Sequence, residues 1–161
     1  MKLIRFAAPA AALVALTAGR AAAQGPTQEV TMQVDAINQL AFFGTPSLVI
    51  STATAGSAPT SVTANATYSI TTNESSRKIT AQLNADTPTG VTLSATLAAP
   101  SGASSTGAVA LEHNEAHDVV RGIAKVSASG LNVTYTLSAT AAAGVVLPTQ
   151  RIVTYTIVDQ P

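Results

Sequence analysis

The stretch VTANATYSIT, residues 62–71, alternates apolar and polar residues without interruption. Successive side chains of a β-strand point to opposite faces, so this pattern predicts a strand with one buried and one solvated face. Strands of that kind are typical of antiparallel sheets. The residues expected on the buried face are Val62, Ala64, Ala66, Tyr68 and Ile70.

The same alternation recurs on both sides of this stretch, with turn-forming residues such as those of 73–76 and 86–90 in between. It predicts strands at 28–36, 47–53, 60–72, 77–84, 91–98, 107–112, 118–126, 130–140 and 150–158. We therefore expect an all-β fold, an antiparallel β-sandwich of about seven to nine strands with immunoglobulin-like topology. A jelly roll or a small barrel stays open as an alternative.

The composition excludes several classes of function. The chain has 161 residues, of which 10% are charged and 4% aromatic, and it has no cysteine. The lack of cysteine excludes disulfide scaffolds, zinc sites with thiolate ligands and iron–sulfur clusters. The formal net charge of zero argues against nucleic-acid binding by phosphate neutralisation.

The first 23 residues have the pattern of a cleaved secretory signal peptide. Lys2 and Arg5 precede an apolar stretch, 6–18, that is too short to span a bilayer, and Ala21–Ala23 supplies the small residues of a cleavage site. We predict a signal peptide at 1–23, a single β-sandwich domain at 24–161, and export through the Sec pathway. The expected location is periplasmic, extracellular or on the cell surface of a bacterium, with no membrane span left after cleavage.

One dense polar segment, residues 112–118, contains both histidines of the chain. Imidazole and carboxylate groups at this spacing could hold a divalent cation if the segment folded back on itself. The alternative is a solvated loop, which we favour because His-x-x-x-His alone is a weak signal. We therefore predict no metal site and no cofactor. The residues that would form such a site are Glu112, His113, Glu115, His117 and Asp118.

No arrangement typical of catalysis stands out. The sequence has no Gly-x-Ser-x-Gly motif and no glycine-rich phosphate loop between a strand and a helix, so we predict that the protein is not an enzyme and has no catalytic residues. Tyr68, Tyr135 and Tyr155 fall at positions expected to pack in the core or on the last strand. Phe42 and Phe43 are adjacent, so we expect one of them to be less buried.

The closing strand Arg151–Val158, the threonine-rich alternating strands and the leader together resemble the small immunoglobulin-like modules of bacterial surface proteins, of the pilus-subunit and adhesin type. The resemblance lies in this general pattern and implies a secreted or cell-surface structural or interaction protein without catalytic activity. The alternative is an extracellular or periplasmic ligand-binding module for a glycan or a weakly held metal. Expected partners are other surface proteins or further copies of the chain, joined by strand pairing. The segment 29–36 is the candidate donor of such a strand, and the commoner alternative is that it completes the sandwich of its own domain.

Overall fold

The structure is a computed structural model that describes residues 25–161, so the predicted signal peptide lies outside the described residues. The chain divides after Gln33. Residues 25–33 form neither strand nor helix and are exposed throughout, whereas 34–161 form the β domain.

The β domain contains nine strands and one short 3-10 turn at Ala141–Ala143. The strands are β1 Asn38–Phe43, β2 Val62–Thr72, β3 Arg77–Leu83, β4 Val91–Leu97, β5 Ser104–Ser105, β6 Val109–Ala110, β7 His117–Ile123, β8 Val126–Ala139 and β9 Val153–Asp159. All pair antiparallel and form two sheets. The predicted all-β, two-sheet antiparallel fold is confirmed.

One sheet has the strand order β1-β2-β8-β4-β6 and the other has the order β5-β7-β3-β9. The longest strands, β2 and β8, pair at the centre of the first sheet, where Ala66 lies opposite Val133. Every second residue of β2 from Val62 to Thr72 is buried or half-buried, as its sequence predicts. The two sheets enclose a core of aliphatic and tyrosine side chains, among them Tyr68, Ile79, Leu97 and Val119.

The two lateral sides of the domain are built differently, and we name them by that difference. On the closed side, β4 and β6 of the first sheet lie against β7 of the second. On the open side, β1 faces β9, and each of these is the last strand of its sheet.

Two predicted strands are wrong. Residues 28–36 and 47–53 belong to no strand, and the nearest regular structure to the second is a single bridge between Ala53 and Pro59. The first strand is instead β1, whose non-alternating sequence NQLAFF concealed it. The two-residue strand β5 was also not predicted, because Ser104–Ser105 carries no apolar signal.

Candidate functional site

A groove with a volume of about 1450 Å³ opens where β1, β4, β8 and β9 meet the loops at one end of the domain. Its inner wall consists of apolar side chains, including Leu40, Phe42, Leu93, Tyr135, Leu137 and Tyr155. We call this feature the apolar groove. A concave surface lined mainly by aliphatic and aromatic side chains is the usual form of a binding site.

The apolar groove lies at the end of the domain where strands of both sheets give way to loops. β3 ends and β9 begins at the pair Leu83–Val153. In the first sheet, Leu93 and Leu137 lie opposite each other and are only partly buried. The segments 45–53 and 146–152 line the groove here in place of further strands. Loops pack less completely than strands, so apolar surface stays accessible.

The 3-10 turn at this end of the domain lies very close to the start of β4. Gly90 has a φ of +78°, and a Cβ atom added there would lie 2.8 Å from Thr140 Oγ1 and 2.9 Å from the Ala143 nitrogen. Glycine alone meets both the positive φ and the lack of space. Gly90 thereby lets the 3-10 turn sit at the rim of the groove.

Aromatic rings form the part of the groove between β1 and β9. Phe42 stacks on Tyr155 with ring centroids 4.0 Å apart and on Tyr68 with centroids 5.4 Å apart. The Tyr155 hydroxyl donates a hydrogen bond to the Tyr135 hydroxyl at 2.9 Å. Burial raises the pKa of Tyr135 and of Tyr155, so both phenols are neutral at physiological pH.

The groove carries little charge. Among the described residues that line it, Arg151 is the one with a charged side chain. Its guanidinium donates hydrogen bonds to the carbonyls of Asp86 and Gln150 and to the Thr149 hydroxyl, at 2.8–2.9 Å. Such a surface suits apolar side chains and offers no cluster of groups for a strongly charged ligand.

One edge of β9 borders this side of the domain. All seven residues of β9 pair with β3, and within residues 34–161 no strand pairs with the other edge. Val153, Tyr155 and Ile157 face the core but stay only half-buried. An edge with free backbone donors and acceptors beside accessible apolar side chains is a template for a further strand.

The structure places the predicted aromatic residues as expected. Tyr68 and Tyr135 are buried and Tyr155 is half-buried. Phe42 is half-buried in the aromatic stack, whereas 55% of Phe43 is exposed. The prediction that one of the two phenylalanines is less buried is confirmed.

The segment 112–118 brings three of its five candidate ligands together. One ligand atom each from Glu112, Glu115 and His117 lie within 4.8 Å of one another. His117 Nε2 lies 3.5 Å from Glu112 Oε2, is shielded from solvent and has no hydrogen-bond partner. Both glutamates are exposed.

The other two candidates point to different partners. His113 Nδ1 lies 3.2 Å from the Leu83 carbonyl oxygen. Asp118 forms ion pairs with Lys78 Nζ at 3.0 Å and with Arg121 Nε at 2.8 Å. Burial alone would raise the pKa of Asp118, but the hydrogen bonds and charges of Lys78 and then Arg121 lower it. Asp118 is thus a paired structural carboxylate.

Comparisons with protein-family models, with curated proteins and with solved structures found no match. In the part of the chain that the structure describes, no helix has the length and apolar character needed to cross a membrane.

Sequence reasoning found the aromatic residues of the apolar groove but not the groove itself. Its lining comes from four strands and three loops that are far apart in the chain, so no local motif marks it. The one available signal was Leu48–Ile50, an apolar run that we assigned to a strand and that instead lines the groove.

Proposed function

We propose that this chain is an exported structural or interaction module of a bacterial cell surface, of immunoglobulin-like organisation and without catalytic activity. It acts by receiving an extended protein segment in the apolar groove. The observation that carries this proposal is the apolar groove itself, which lies beside the free edge of β9.

The order of the strands supports this function. β9 is the last strand of its sheet, so the position beside its outer edge is filled by no strand of the described domain. A segment bound there would gain main-chain hydrogen bonds from the edge and side-chain contacts from the groove. The signal-peptide pattern at 1–23 and the lack of cysteine fit an exported module that folds without disulfides.

A second candidate function, weak cation binding, is favoured by the arrangement of Glu112, Glu115 and His117. Two carboxylates and one imidazole are a plausible ligand set for a divalent cation. Both carboxylates are exposed, and hydrated carboxylates bind cations weakly unless more ligands converge. We rank this function below segment binding.

The test of the proposed function compares two neighbouring positions of β9 in a bacterial host that expresses the full chain with a carboxy-terminal tag. Val153 lines the groove, while Thr154 points outward and is exposed. We expect mass spectrometry to find a mature amino terminus at Gln24. Surface labelling should show that Val153→Glu reduces the cell-held fraction at least several-fold while Thr154→Glu retains it.

An uncleaved leader would contradict the proposed function. So would Val153→Glu and Thr154→Glu proteins that are held at the cell surface to the same extent. Circular dichroism of both purified variants checks that each has kept its β structure.

A further inference from the structure

We propose that the segment that fills the apolar groove is residues 28–36 of a second copy of this chain. The segment adds as a strand to the free edge of β9 and links copies from head to tail. This inference rests on the proposed function and names the partner.

The residues of the segment itself favour a strand. Val30, Met32 and Val34 alternate with polar residues, and 70%, 87% and 80% of their surfaces are exposed. Three large apolar side chains on one face of a potential strand are costly to leave in water, and no strand of the described chain pairs with this segment. Val30, Met32 and Val34 therefore form an exposed apolar face that suits a β-strand.

The segment matches β9 in length and in the period of its apolar side chains. Nine residues in an extended conformation span about 30 Å, enough to run along the whole of the seven-residue β9. The segment offers three apolar side chains at a period of two, and β9 presents Val153, Tyr155 and Ile157 at the same period. Cross-strand pairs of this kind stabilise a sheet.

Hydrogen bonds fix the chain where the segment joins its own domain. Asn73, in the turn after β2, holds residues 35–37 in line with β1. Its side chain accepts a hydrogen bond from the Ile37 amide at 2.8 Å and donates one to the Asp35 carbonyl at 2.8 Å. The backbone amide of Asn73 donates a third hydrogen bond, to the Ile37 carbonyl at 3.3 Å. A tight reversal toward β9 would break this clamp.

The turn that holds the segment and the mouth of the groove lie at opposite ends of the domain. Residues 73–76 lie beside the carboxyl end of β9, where the Gln160 amide donates to the Ser76 carbonyl and Arg77 pairs with Asp159. The groove opens at the other end of β9, near Val153. Within the β domain, the clamp on residues 35–37 and the groove therefore lie at opposite ends of β9, as a head-to-tail contact requires.

The charges of the two surfaces are complementary. Glu29 is a charged residue of the segment, and Arg151 is the charged residue of the groove lining, at the start of β9. Opposite charges favour the encounter and disfavour a basic peptide as occupant.

A contact between two different surfaces of the same protein is heterologous, and it produces open chains unless the rotation closes a ring. Each added copy buries one segment and exposes another at the far end. The predicted product is a linear series of oligomers whose length rises with concentration.

The experiment uses the complete mature protein, residues 24–161, in light scattering coupled to size exclusion. We expect wild-type protein to form oligomers beyond the dimer, and Met32→Asp to reduce them at least ten-fold. Thr31→Asp is the matched control, since Thr31 lies on the polar face of the segment. Val153→Glu, which spoils the groove but keeps the segment, should also be monomeric.

Mixing the two monomeric variants gives the decisive result. Met32→Asp has an intact groove and Val153→Glu an intact segment, so the mixture should form a one-to-one dimer that grows no further. If Val153→Glu does not fold, the cysteine-free chain allows a second route. Copies with Met32→Cys should crosslink to copies with Val153→Cys through a short bis-maleimide, and not to copies with Ser105→Cys on the closed side.

The proposal is overturned by wild-type protein that stays monomeric at high concentration, by equal effects of Thr31→Asp and Met32→Asp, or by symmetric dimers alone. If Val153→Glu abolishes surface retention while Met32→Asp leaves it intact, the groove binds a different protein. In that case the self-assembly inference fails and the proposed function survives.

Discussion

The closed and open sides of the domain use the same kinds of side chains but bury them to different extents. On the closed side, Leu97 and Val119 are fully buried and Leu111 is 4% exposed. On the open side, the side chains that face the core are all only half-buried: Leu40, Phe42, Val153, Tyr155 and Ile157. Leucine and valine occur in both groups and are buried to different extents, so the difference follows from how many strands cover them rather than from residue type.

The comparison shows where the fold is incomplete. Short strands and loops finish the closed side, since β5 and β6 together contain only four residues. The open side has aromatic rings and a long edge, and within residues 34–161 no strand covers them. The apolar segment that could do so, 28–36, belongs to none of the described strands. Completion of the open side by a second copy would remove this asymmetry.

The largest expected effect comes from truncating one leucine on each side. Leu97→Ala should lower the free energy of unfolding by about 3 kcal/mol, because it leaves a cavity in a fully enclosed part of the core. Leu40→Ala should cost about 1 kcal/mol in the monomer, since Leu40 is already partly solvated. Urea denaturation of dilute protein measures both. Equal losses would mean that the open side is as well packed as the closed side.

A smaller effect is expected from removing the Tyr68 hydroxyl, which donates to the Ala98 carbonyl at 2.5 Å. Tyr68→Phe should cost about 1.5 kcal/mol at neutral pH, because the carbonyl loses its buried donor. Burial also raises the pKa of Tyr68 to about 12.

The raised pKa makes this contribution depend on pH. A phenol whose pKa is higher in the folded state adds stability that is complete below about pH 10, the pKa of an unfolded tyrosine, and is lost as the pH rises toward 12. Denaturation curves at pH 8, 10 and 11 should therefore fall less steeply with pH for Tyr68→Phe than for wild type. An unchanged pH profile would show that the hydroxyl is accessible to solvent.

Two aspartates test whether ion pairs also contribute more stability on the closed side than on the open side. Asp118→Asn on the closed side should cost about 1 kcal/mol at pH 7, because it removes the partner of Lys78 and Arg121. Because the pKa of Asp118 is lowered in the folded state, its charge contributes stability at pH values above the usual pKa of an aspartate. This stability is lost as the pH falls. Asp159→Asn on the open side should cost only a few tenths of a kcal/mol, since 86% of that side chain is exposed.

Thermal denaturation of both asparagine variants at pH 7 and pH 3 checks this pair. A larger loss for Asp159→Asn, or a loss for Asp118→Asn that persists unchanged at pH 3, would contradict the assignment.

The smallest effect is expected in the segment 112–118. Replacing His113 and His117 together by alanine should change the free energy of unfolding by less than about half a kcal/mol, because His113 is an exposed loop residue and His117 is only half-buried at the start of β7. Zinc or copper should leave the melting temperature of the wild type unchanged. A metal-dependent rise that disappears in the double variant would establish the second candidate function instead.

The central strands could be predicted from sequence because their period-two pattern reflects burial between two sheets. Residues 62–71 and 91–97 are examples, and both form strands close to the predicted bounds. Residues 28–36 have the same pattern and form no strand. Alternation reports the ability to form an amphipathic strand, and only the rest of the fold decides whether a free edge is available to it.

The apolar groove could not be predicted for a related reason. Its lining combines strand residues with loop residues that are far apart in the chain, and strand ends are set by pairing across the sheet rather than by local sequence. Leu40 and Phe42 were also hidden, because the outward-facing neighbours Ala41 and Phe43 are apolar and mask the alternation of β1.

Amide hydrogen exchange along β9 tests the central claim most directly, because it reports whether the free edge gains a partner. The mature protein is compared when dilute and when concentrated. We predict that the alternate β9 amides that point away from β3 exchange rapidly in dilute protein. They should become protected at high concentration, together with amides of residues 28–36, and should lose this protection in Met32→Asp. Exchange of β9 and of residues 28–36 that is the same at both concentrations would contradict the account.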